Sequence, residues 1–185
     1  MGLEDAAKQL QQIQAELSSN VYEQHKKSGE TQEAYRKWAT FSIADELYAI
    51  DVMQVKEVLR FTDITPVPGA PDGILGIINL RGSVVTVVSS RTLFKLEDTE
   101  IDHNTRIVVV EFDDQEVLGI LVDGVDEVLN LPESETERAP GVMREDSQRQ
   151  FVQGVCYREE QLIILLDLDR MLAGFKNSLL EQQQS

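Results

Sequence analysis

The apolar residues of this chain fall into short runs that predict β-strands, and the clearest pattern covers residues 74–88. Two apolar runs, Ile74–Leu80 and Val84–Val88, flank the polar break Arg81-Gly82-Ser83. β-Branched residues dominate both runs, and glycine in the break suits the backbone of a tight turn. The pattern therefore predicts a buried β-hairpin, and its long polar side chains, Asn79 and Arg81, need partners at the turn.

A two-residue period predicts further strands along most of the chain. They cover Trp38–Ile43, Leu47–Ile50, Thr105–Phe112, Val117–Val122, Val125–Leu129, Phe151–Tyr157 and Gln161–Leu166. Val52–Leu59 is ambiguous between a helical turn and a strand, and we divide it near Val55. Thr65–Gly73 and Pro132–Gln150 are predicted loops. The pattern does not decide which part of the sheet structure the first strand completes.

Helical spacing of apolar residues occurs at the two ends of the chain. The N-terminal stripe consists of Leu3, Ala7, Leu10, Ile13, Leu17 and Val21, and the C-terminal stripe of Leu168, Met171, Leu172, Phe175 and Leu179. Residues 1–36 are interpreted as a helical or disordered extension, because a short helix is marginal unless it packs on something. The alternative is a helix that docks on the body of the protein or on a partner.

The second half of the sequence repeats the first. Val55–Leu59 matches Val125–Leu129 at an offset of 70, and the hairpin at 74–88 matches residues 152–166 at an offset of 78. Ser89 and Asp167 hold the same place before a helical stripe, and both are good N-cap residues. We therefore predict two similar β-lobes, roughly residues 45–95 and 105–175, in a domain spanning 37–178. About ten short strands imply small closed barrels, because closure removes exposed edges.

The charge balance argues against nucleic acid and anionic lipid as partners. The chain has 17 basic and 33 acidic residues, and residues 38–185 alone hold 12 basic and 27 acidic ones. Clustered lysine and arginine, which bind both kinds of polyanion, are missing. The single cysteine, Cys156, and the lack of an apolar run of about 20 residues predict a soluble cytoplasmic protein without direct membrane insertion.

Candidate chemistry is sparse, and we predict that the protein is not an enzyme. The nucleotide-binding and hydrolase motifs rich in glycine are absent. His25 and His103, the two histidines, lie in predicted connections, and with one cysteine they make a metal site improbable. No cofactor is expected.

Glu57 and Arg81 carry opposite charges at the edges of apolar strands. One interpretation is a structural ion pair that holds the strand to the hairpin turn. The other is a charged lip beside an apolar recognition groove, lined by Val55, Val58 and, from the second lobe, Val125. The two are compatible, because a partly buried pair can hold the surface that a partner recognises.

These segments resemble the CheW-like adaptor family of bacterial chemotaxis. The resemblance rests on residues 48–59, on Gly76-Ile77-Ile78-Asn79-Leu80-Arg81-Gly82, and on the runs at 117–123 and 151–155, and it covers about residues 37–175. It implies two SH3-like five-stranded β-barrels with short helices and a groove between them. It also implies a scaffold that couples methyl-accepting chemoreceptors to the histidine kinase CheA in membrane-associated arrays.

The resemblance also implies which residues meet the partners. Residues at receptor- or kinase-coupling positions would be Val55, Glu57, Val58, Gly76, Asn79, Arg81 and Val125. The partners would be the helical tips of the receptors, lying in the groove, and the regulatory domain of CheA. Ser89 departs from the family's usual aspartate, so an acidic contact there is in doubt although serine can still cap. An adaptor for another receptor–kinase system, controlling pili or biofilm, is the alternative function.

Overall fold

The computed structural model describes residues 8–13, 33–113, 115–138 and 151–183, the side chains of 177–183 excepted. The chain divides into two compact units, residues 1–34 and residues 35–185. In the first unit, residues 8–13 are helical, in agreement with the predicted N-terminal helix. The rest of that predicted helix lies outside the described residues. The architecture below is that of the second unit.

Eleven strands make up most of the described part of the second unit. They are β1 (Tyr35–Ile43), β2 (Glu46–Asp51), β3 (Val55–Arg60), β4 (Ile74–Leu80), β5 (Ser83–Ser89), β6 (Arg106–Phe112), β7 (Glu116–Val122), β8 (Gly124–Pro132), β9 (Glu137–Arg138), β10 (Val152–Arg158) and β11 (Gln161–Leu166). The α-helices are α1 (Ser90–Leu93) and α2 (Leu168–Gln183), and short 3-10 turns occupy Val52–Gln54 and Glu133–Glu135. The predicted mainly β fold is confirmed.

Most predicted elements are confirmed, with two corrections. Val52–Gln54 is a 3-10 turn and β3 begins at Val55, as the division of that segment predicted. The predicted loop 132–150, however, contains β9, whose two residues pair with β10. A two-residue edge strand is too short to leave an alternating pattern in the sequence. Val84, predicted within a buried run, is 67% exposed.

The strands form two sheets whose composition corrects the predicted lobes. One sheet has the order β8-β1-β2-β11-β10-β9 and the other β3-β6-β7-β5-β4. The hairpin β1–β2 thus lies in a sheet built otherwise from the second half, and β6–β7 in a sheet built otherwise from the first half. Residues 45–95 and 105–175 are therefore not separate lobes. Hydrophobic period shows which residues face a core, but not which of two similar sheets accepts a hairpin.

Each exchanged hairpin is attached on one side by a parallel pairing, β2 with β11 or β7 with β5, and on the other side by an antiparallel one, β1 with β8 or β6 with β3. The remaining neighbouring strands in the described part of the chain are antiparallel. In the five-stranded sheet Val87 on β5 lies opposite Gly119 on β7. In the six-stranded sheet Leu165 on β11 lies opposite Ala49 on β2. These pairs are equivalent under the offsets of 78 and 70 residues found in the sequence. The predicted internal repeat is thereby confirmed at the level of strand register.

The two copies of the repeat also contain equivalent hydrogen bonds. Ser89 N–H donates to the Gly73 carbonyl at 2.8 Å, and Asp167 N–H donates to the Phe151 carbonyl at 2.6 Å. The same two residues cap the helices that follow: the Ser89 hydroxyl accepts from Thr92 N–H at 3.3 Å, and the Asp167 carboxylate from an N–H one turn into α2 at 3.1 Å. The predicted N-caps are confirmed: a serine caps the helix in one copy of the repeat and an aspartate caps it in the other.

Each sheet encloses its own apolar cluster. The cluster of the six-stranded sheet comprises Trp38, Leu47, Ala49, Leu129, Leu131, Cys156, Ile163 and Leu165. The cluster of the five-stranded sheet comprises Leu59, Ile64, Leu75, Ile78, Leu80, Val85, Val87, Ile107, Val109 and Leu121. In the latter, side chains from both edge strands, β3 and β4, reach the same cluster. The sheet must therefore roll around its core, although no ladder joins β3 to β4 among the described strands.

Aromatic contacts attach the end of α1 to the six-stranded sheet. Tyr48 on β2 stacks on Phe94 with ring centroids 4.9 Å apart, and Phe41 on β1 lies 6.2 Å from Tyr48. Phe94 meets Phe151 edge to face at 6.4 Å. Such pairs contribute about 0.5–1.5 kcal/mol beyond their buried area. The stack joins the end of a helix from the first half of the chain to β1 and β2 and to Phe151, which directly precedes β10 of the second half.

Gly76 allows a test of the close approach between the backbone of β4 and the segment at Thr65. Its φ is 147°, and a Cβ there would lie 2.1 Å from the Thr65 carbonyl oxygen, because Thr65 and Ile77 exchange two backbone hydrogen bonds of 2.9 Å. We expect Gly76→Ala to lower the free energy of unfolding by about 2–4 kcal/mol, through backbone strain and overlap with immovable backbone. Urea unfolding at neutral pH measures the effect.

Gly82→Ala is the matched control for that experiment. Gly82 also has a positive φ, 85°, but nothing lies within 4 Å of the position of its Cβ. The conformational cost alone should be about 1 kcal/mol. Equal losses in the two variants would show that the contact with Thr65 is not the constraint.

Candidate functional site

The predicted pair of Glu57 and Arg81 forms an ion pair in the structure. Arg81 Nη2 lies 2.7 Å from Glu57 Oε1. The Glu57 side chain is 27% exposed and the Arg81 side chain 77% exposed. A guanidinium carries five N–H donors, and the contact with Glu57 uses one of them. The pair therefore still offers charged, hydrogen-bonding surface to the solvent.

The turn between β4 and β5 aims Arg81 at Glu57. Arg81 and Gly82 are its two central residues and both have positive φ, 52° and 85°, as a type I′ hairpin turn requires. Asn79 supports the turn, because its side-chain oxygen accepts a hydrogen bond from Gly82 N–H at 3.0 Å. Asn79 thus has an internal partner and acts first as a brace for the turn.

The ion pair spans the two edges of the five-stranded sheet. Glu57 lies on β3, and Arg81 lies at the end of β4, the opposite edge strand. The 2.7 Å contact therefore bridges an opening that no ladder closes among the described strands. The structural interpretation of the pair holds, and the exposure of Arg81 leaves the recognition interpretation in place beside it.

Two of the predicted contact residues are buried. Val55 is 1% exposed, and Gly76 is buried beneath the segment at Thr65. Neither presents side-chain surface to a partner, so their prediction as direct contacts needs correction. The reason is that β3 and β4 each alternate between core and surface, and sequence alone does not give the phase of a short strand. Val58, on β3, is half-buried and stays available.

Val125 lies apart from the other predicted residues in the strand order. It is half-buried on β8, in the six-stranded sheet, opposite Phe41 on β1. The other six residues belong to β3, β4 and the β4–β5 turn of the five-stranded sheet. The structure therefore assembles Glu57, Asn79 and Arg81 into one site, with Val58 on the same strand as Glu57, and leaves Val125 on the other sheet.

The tip of the β4–β5 hairpin, residues 79–84 (the hairpin tip below), also carries an exposed apolar side chain that the sequence did not reveal. Val84 pairs with Asn79 across the hairpin and follows the turn that holds Arg81. At 67% exposure it is the most exposed of the large apolar side chains in the described part of the chain. An exposed valine near an exposed guanidinium is a mixed apolar and charged surface of the kind that a protein partner can cover.

A second ion pair, not anticipated from the sequence, joins the two sheets. Asp123 lies between β7 of one sheet and β8 of the other. Its carboxylate accepts two hydrogen bonds from Arg91, at 3.0 Å from Nε and 2.6 Å from Nη2, and one of 2.6 Å from the N–H of Ala44. Ala44 belongs to the β1–β2 turn. The sequence does show that a carboxylate, Asp123, directly follows an apolar strand. It does not show the partners of that carboxylate, because Arg91 and Ala44 are remote from it in sequence.

The electrostatics of this second pair favour its charged form. Burial alone would raise the pKa of Asp123, but the hydrogen bonds from Arg91 and from Ala44 N–H, with the charge of Arg91, lower it below its ordinary value. The hydrogen bond to Asp123 raises the pKa of Arg91 in turn, against the opposing effect of its own burial. The pair is therefore ionised at neutral pH and fixes the junction of the two sheets.

A family model described as the CheW-like domain matches residues 37–176. The chain belongs to the CheW-like family. The chemotaxis protein CheW of Klebsiella aerogenes is 31% identical over 156 residues, covering 84% of this chain and 92% of that protein. The chemotaxis protein CheW of Bacillus subtilis is 35% identical over 136 residues, covering 74% of this chain and 86% of that one.

A solved CheW structure shares the fold. The crystal structure of the scaffolding protein TtCheW from Thermoanaerobacter tengcongensis superposes with a TM-score of 0.68 at 33% identity, covering 75% of this chain and 93% of that one. The CheW-like domain accounts for the fold of the paired sheets. Among the helices that the structure describes, none has the length and apolarity needed to cross a membrane.

The lowered pKa of Asp123 gives a pH test of the junction. A carboxylate with a depressed folded-state pKa contributes stability above its unfolded pKa of about 3.9, and loses it as the pH falls through the folded value. We expect Asp123→Asn to lower the free energy of unfolding by about 1–3 kcal/mol at pH 7. The difference from the unmodified chain should shrink progressively below about pH 4.

Urea titrations of both proteins across this pH range make the measurement, with Asp126→Asn as control. Asp126 is an exposed carboxylate on the adjoining strand β8. A loss for Asp123→Asn that is the same at pH 7 and pH 3 would show that the charge of Asp123 does not stabilise the junction.

Proposed function

We propose that this protein is a chemotaxis scaffold that couples chemoreceptors to the histidine kinase CheA. The match of the CheW-like domain to residues 37–176 carries the proposal. The names of the relatives, chemotaxis proteins and a scaffolding protein, support it. Binding of both partners would recruit the protein to membrane-associated receptor arrays. The specific partners proposed are the helical tips of the receptors and the regulatory domain of the kinase.

The proposed role requires no catalysis by this chain. A scaffold acts by holding two proteins in a geometry that neither reaches alone, and it transmits a signal only if its contacts differ between two states of the assembly. The paired sheets supply a stiff body for that task. The body is braced by the Asp123 junction between sheets and by the Arg81–Glu57 contact across the rolled sheet.

The hairpin tip is the surface that we assign to a protein partner. Arg81 keeps donors free for a carboxylate or a backbone carbonyl of the partner, and Val84 adds apolar area beside it. Glu57 would hold the guanidinium in place before binding, which reduces the entropy lost when a partner docks. The residues at the centre of this surface are therefore Arg81 and Val84, with Glu57 and Asn79 in supporting positions.

Arg81→Ala tests the hairpin tip. The variant should keep its fold, with a loss of at most about 1 kcal/mol in the free energy of unfolding, because the pair is exposed. Recruitment into a complex with receptor cytoplasmic fragments and kinase should weaken about 5- to 30-fold, the range expected for an interface arginine. Co-sedimentation of the three proteins, with kinase activity as a second readout, measures both effects.

Lys56→Ala is the matched control. Lys56 precedes Glu57 on β3 and forms a comparable exposed ion pair with Glu111. It should leave co-sedimentation unchanged. Equal weakening by both variants would show that loss of a positive charge on this sheet, and not loss of the hairpin tip in particular, is responsible. Failure of the unmodified protein to sediment with either partner would contradict the proposed function itself.

A further inference from the structure

A cleft of about 570 Å³ opens on the five-stranded sheet, and none of the predicted site residues lines it. Its lining comprises Phe61, Asp63, Ile64, Leu75, Ser89, Arg91, Asp98, Thr99, Glu100, Ile101, Thr105, Leu121 and Asp123. Ile64, Leu75 and Leu121 are also members of the sheet's apolar cluster. The floor of the cleft is therefore the outer side of a packed core, and its shape is set by that packing.

The cleft continues into a neighbouring depression. Phe61, Ile101 and Thr105 line both, and the second, of about 440 Å³, adds Arg60, Asp102, His103 and Arg106. Ile101 is 51% exposed at the boundary. A large aliphatic side chain that stands half in water between two depressions gives a partner an apolar contact on either side.

The rim of the main cleft is acidic. Asp63, Asp98 and Glu100 are all exposed there, and Asp63 and Glu100 form no hydrogen bond or ion pair within the described residues. Two unpaired carboxylates beside an apolar floor favour a ligand that brings positive charge next to an apolar group. The excess of acidic residues in the domain as a whole adds to that preference.

Arg91 does not reverse this preference, although it also lines the cleft. Its Nε and Nη2 donate to Asp123, and its Nη1 donates to the Glu97 carbonyl at 2.7 Å. These bonds use three of the five N–H donors of the guanidinium, one at each nitrogen, and Asp123 neutralises its charge. An anionic ligand would therefore meet a cation that is already balanced, beside the unpaired Asp63 and Glu100, so the cleft suits a cationic group instead.

We propose that the cleft binds a linear segment of a partner protein in which an aliphatic or aromatic side chain adjoins lysine or arginine. The apolar side chain lies on Ile64, Leu75 and Leu121, against Ile101, and the basic group lies at Asp63 and Glu100. Charge complementarity selects this occupant. This surface is separate from the Arg81 hairpin tip, so the scaffold holds a second, independent docking site on the same sheet.

A peptide titration of the full-length ¹⁵N-labelled chain tests the proposal. The probe is the capped peptide Gly-Lys-Leu-Phe-Lys-Gly, and two matched peptides replace both lysines by glutamate or the Leu-Phe pair by Ser-Ser. We expect the probe to shift the amide signals of Phe61, Leu75 and Ile101 with a Kd in the range of about 0.1–1 mM. Both matched peptides should bind at least about fivefold more weakly.

Two variants and their controls identify the site. Ile101→Ser should weaken probe binding about tenfold and Asp63→Lys about threefold to fivefold. Val84→Ser and Asp126→Lys, which alter an exposed valine and an exposed carboxylate outside the lining, should leave it unchanged. Equal binding of all three peptides, shifts elsewhere than the cleft, or no binding at millimolar probe would overturn the proposal.

Other occupants have their own signatures in the same spectra. Cleft signals that move on dilution of the peptide-free protein would identify a second copy of the chain as the occupant. Nuclear Overhauser contacts from Leu10 or Ile13 to Phe61 would identify the N-terminal segment. Either result would overturn the assignment to a partner protein.

Discussion

The structure depends on two parallel strand pairings, β2 with β11 and β5 with β7. Through them, together with the antiparallel pairings of β1 with β8 and of β6 with β3, each repeat gives a hairpin to the sheet of the other, so neither sheet can be completed by one half of the chain. A parallel pair has no tight turn to form it and needs a long connection, which makes these contacts costly in loop entropy. Once formed, they make the two sheets one body, because unfolding either removes strands from both.

The Asp123 junction shows how this exchange is used. The chain crosses from the five-stranded to the six-stranded sheet at that residue, and its carboxylate binds the turn of one exchanged hairpin while Arg91 approaches from α1. The β7–β8 connection, the β1–β2 turn and α1 are thus held together at the carboxylate of Asp123. Each of the two apolar clusters packs within one sheet, so these clusters fix the orientation of one sheet to the other less directly than the bonds at Asp123 do.

The features that could be predicted from the sequence are those that depend on residue type and local spacing. The Arg81-Gly82 turn, the Ser89 and Asp167 caps and the repeat itself follow from residue type and spacing. The hairpin exchange does not, since Leu47–Ala49 and Leu118–Ile120 are equally apolar and could complete either sheet. For the site, opposite charges at strand edges predicted the Glu57–Arg81 contact. The burial of Val55 and Gly76, the exposure of Val84 and the partners of Asp123 depend on strand phase and on contacts between residues about 30 to 80 positions apart in the chain.

The Glu57–Arg81 pair illustrates why a structural and a recognition role need not compete. An exposed ion pair contributes little to stability. The stability of the fold therefore does not by itself explain why an ion pair bridges the opening of the rolled sheet. Its stronger effect is geometric: Glu57 holds a guanidinium whose remaining donors face outward, beside a valine that the hairpin keeps in water. A partner that docks there meets an ordered surface. For a scaffold, whose output is the relative position of its partners, such order matters more than the energy of any single contact.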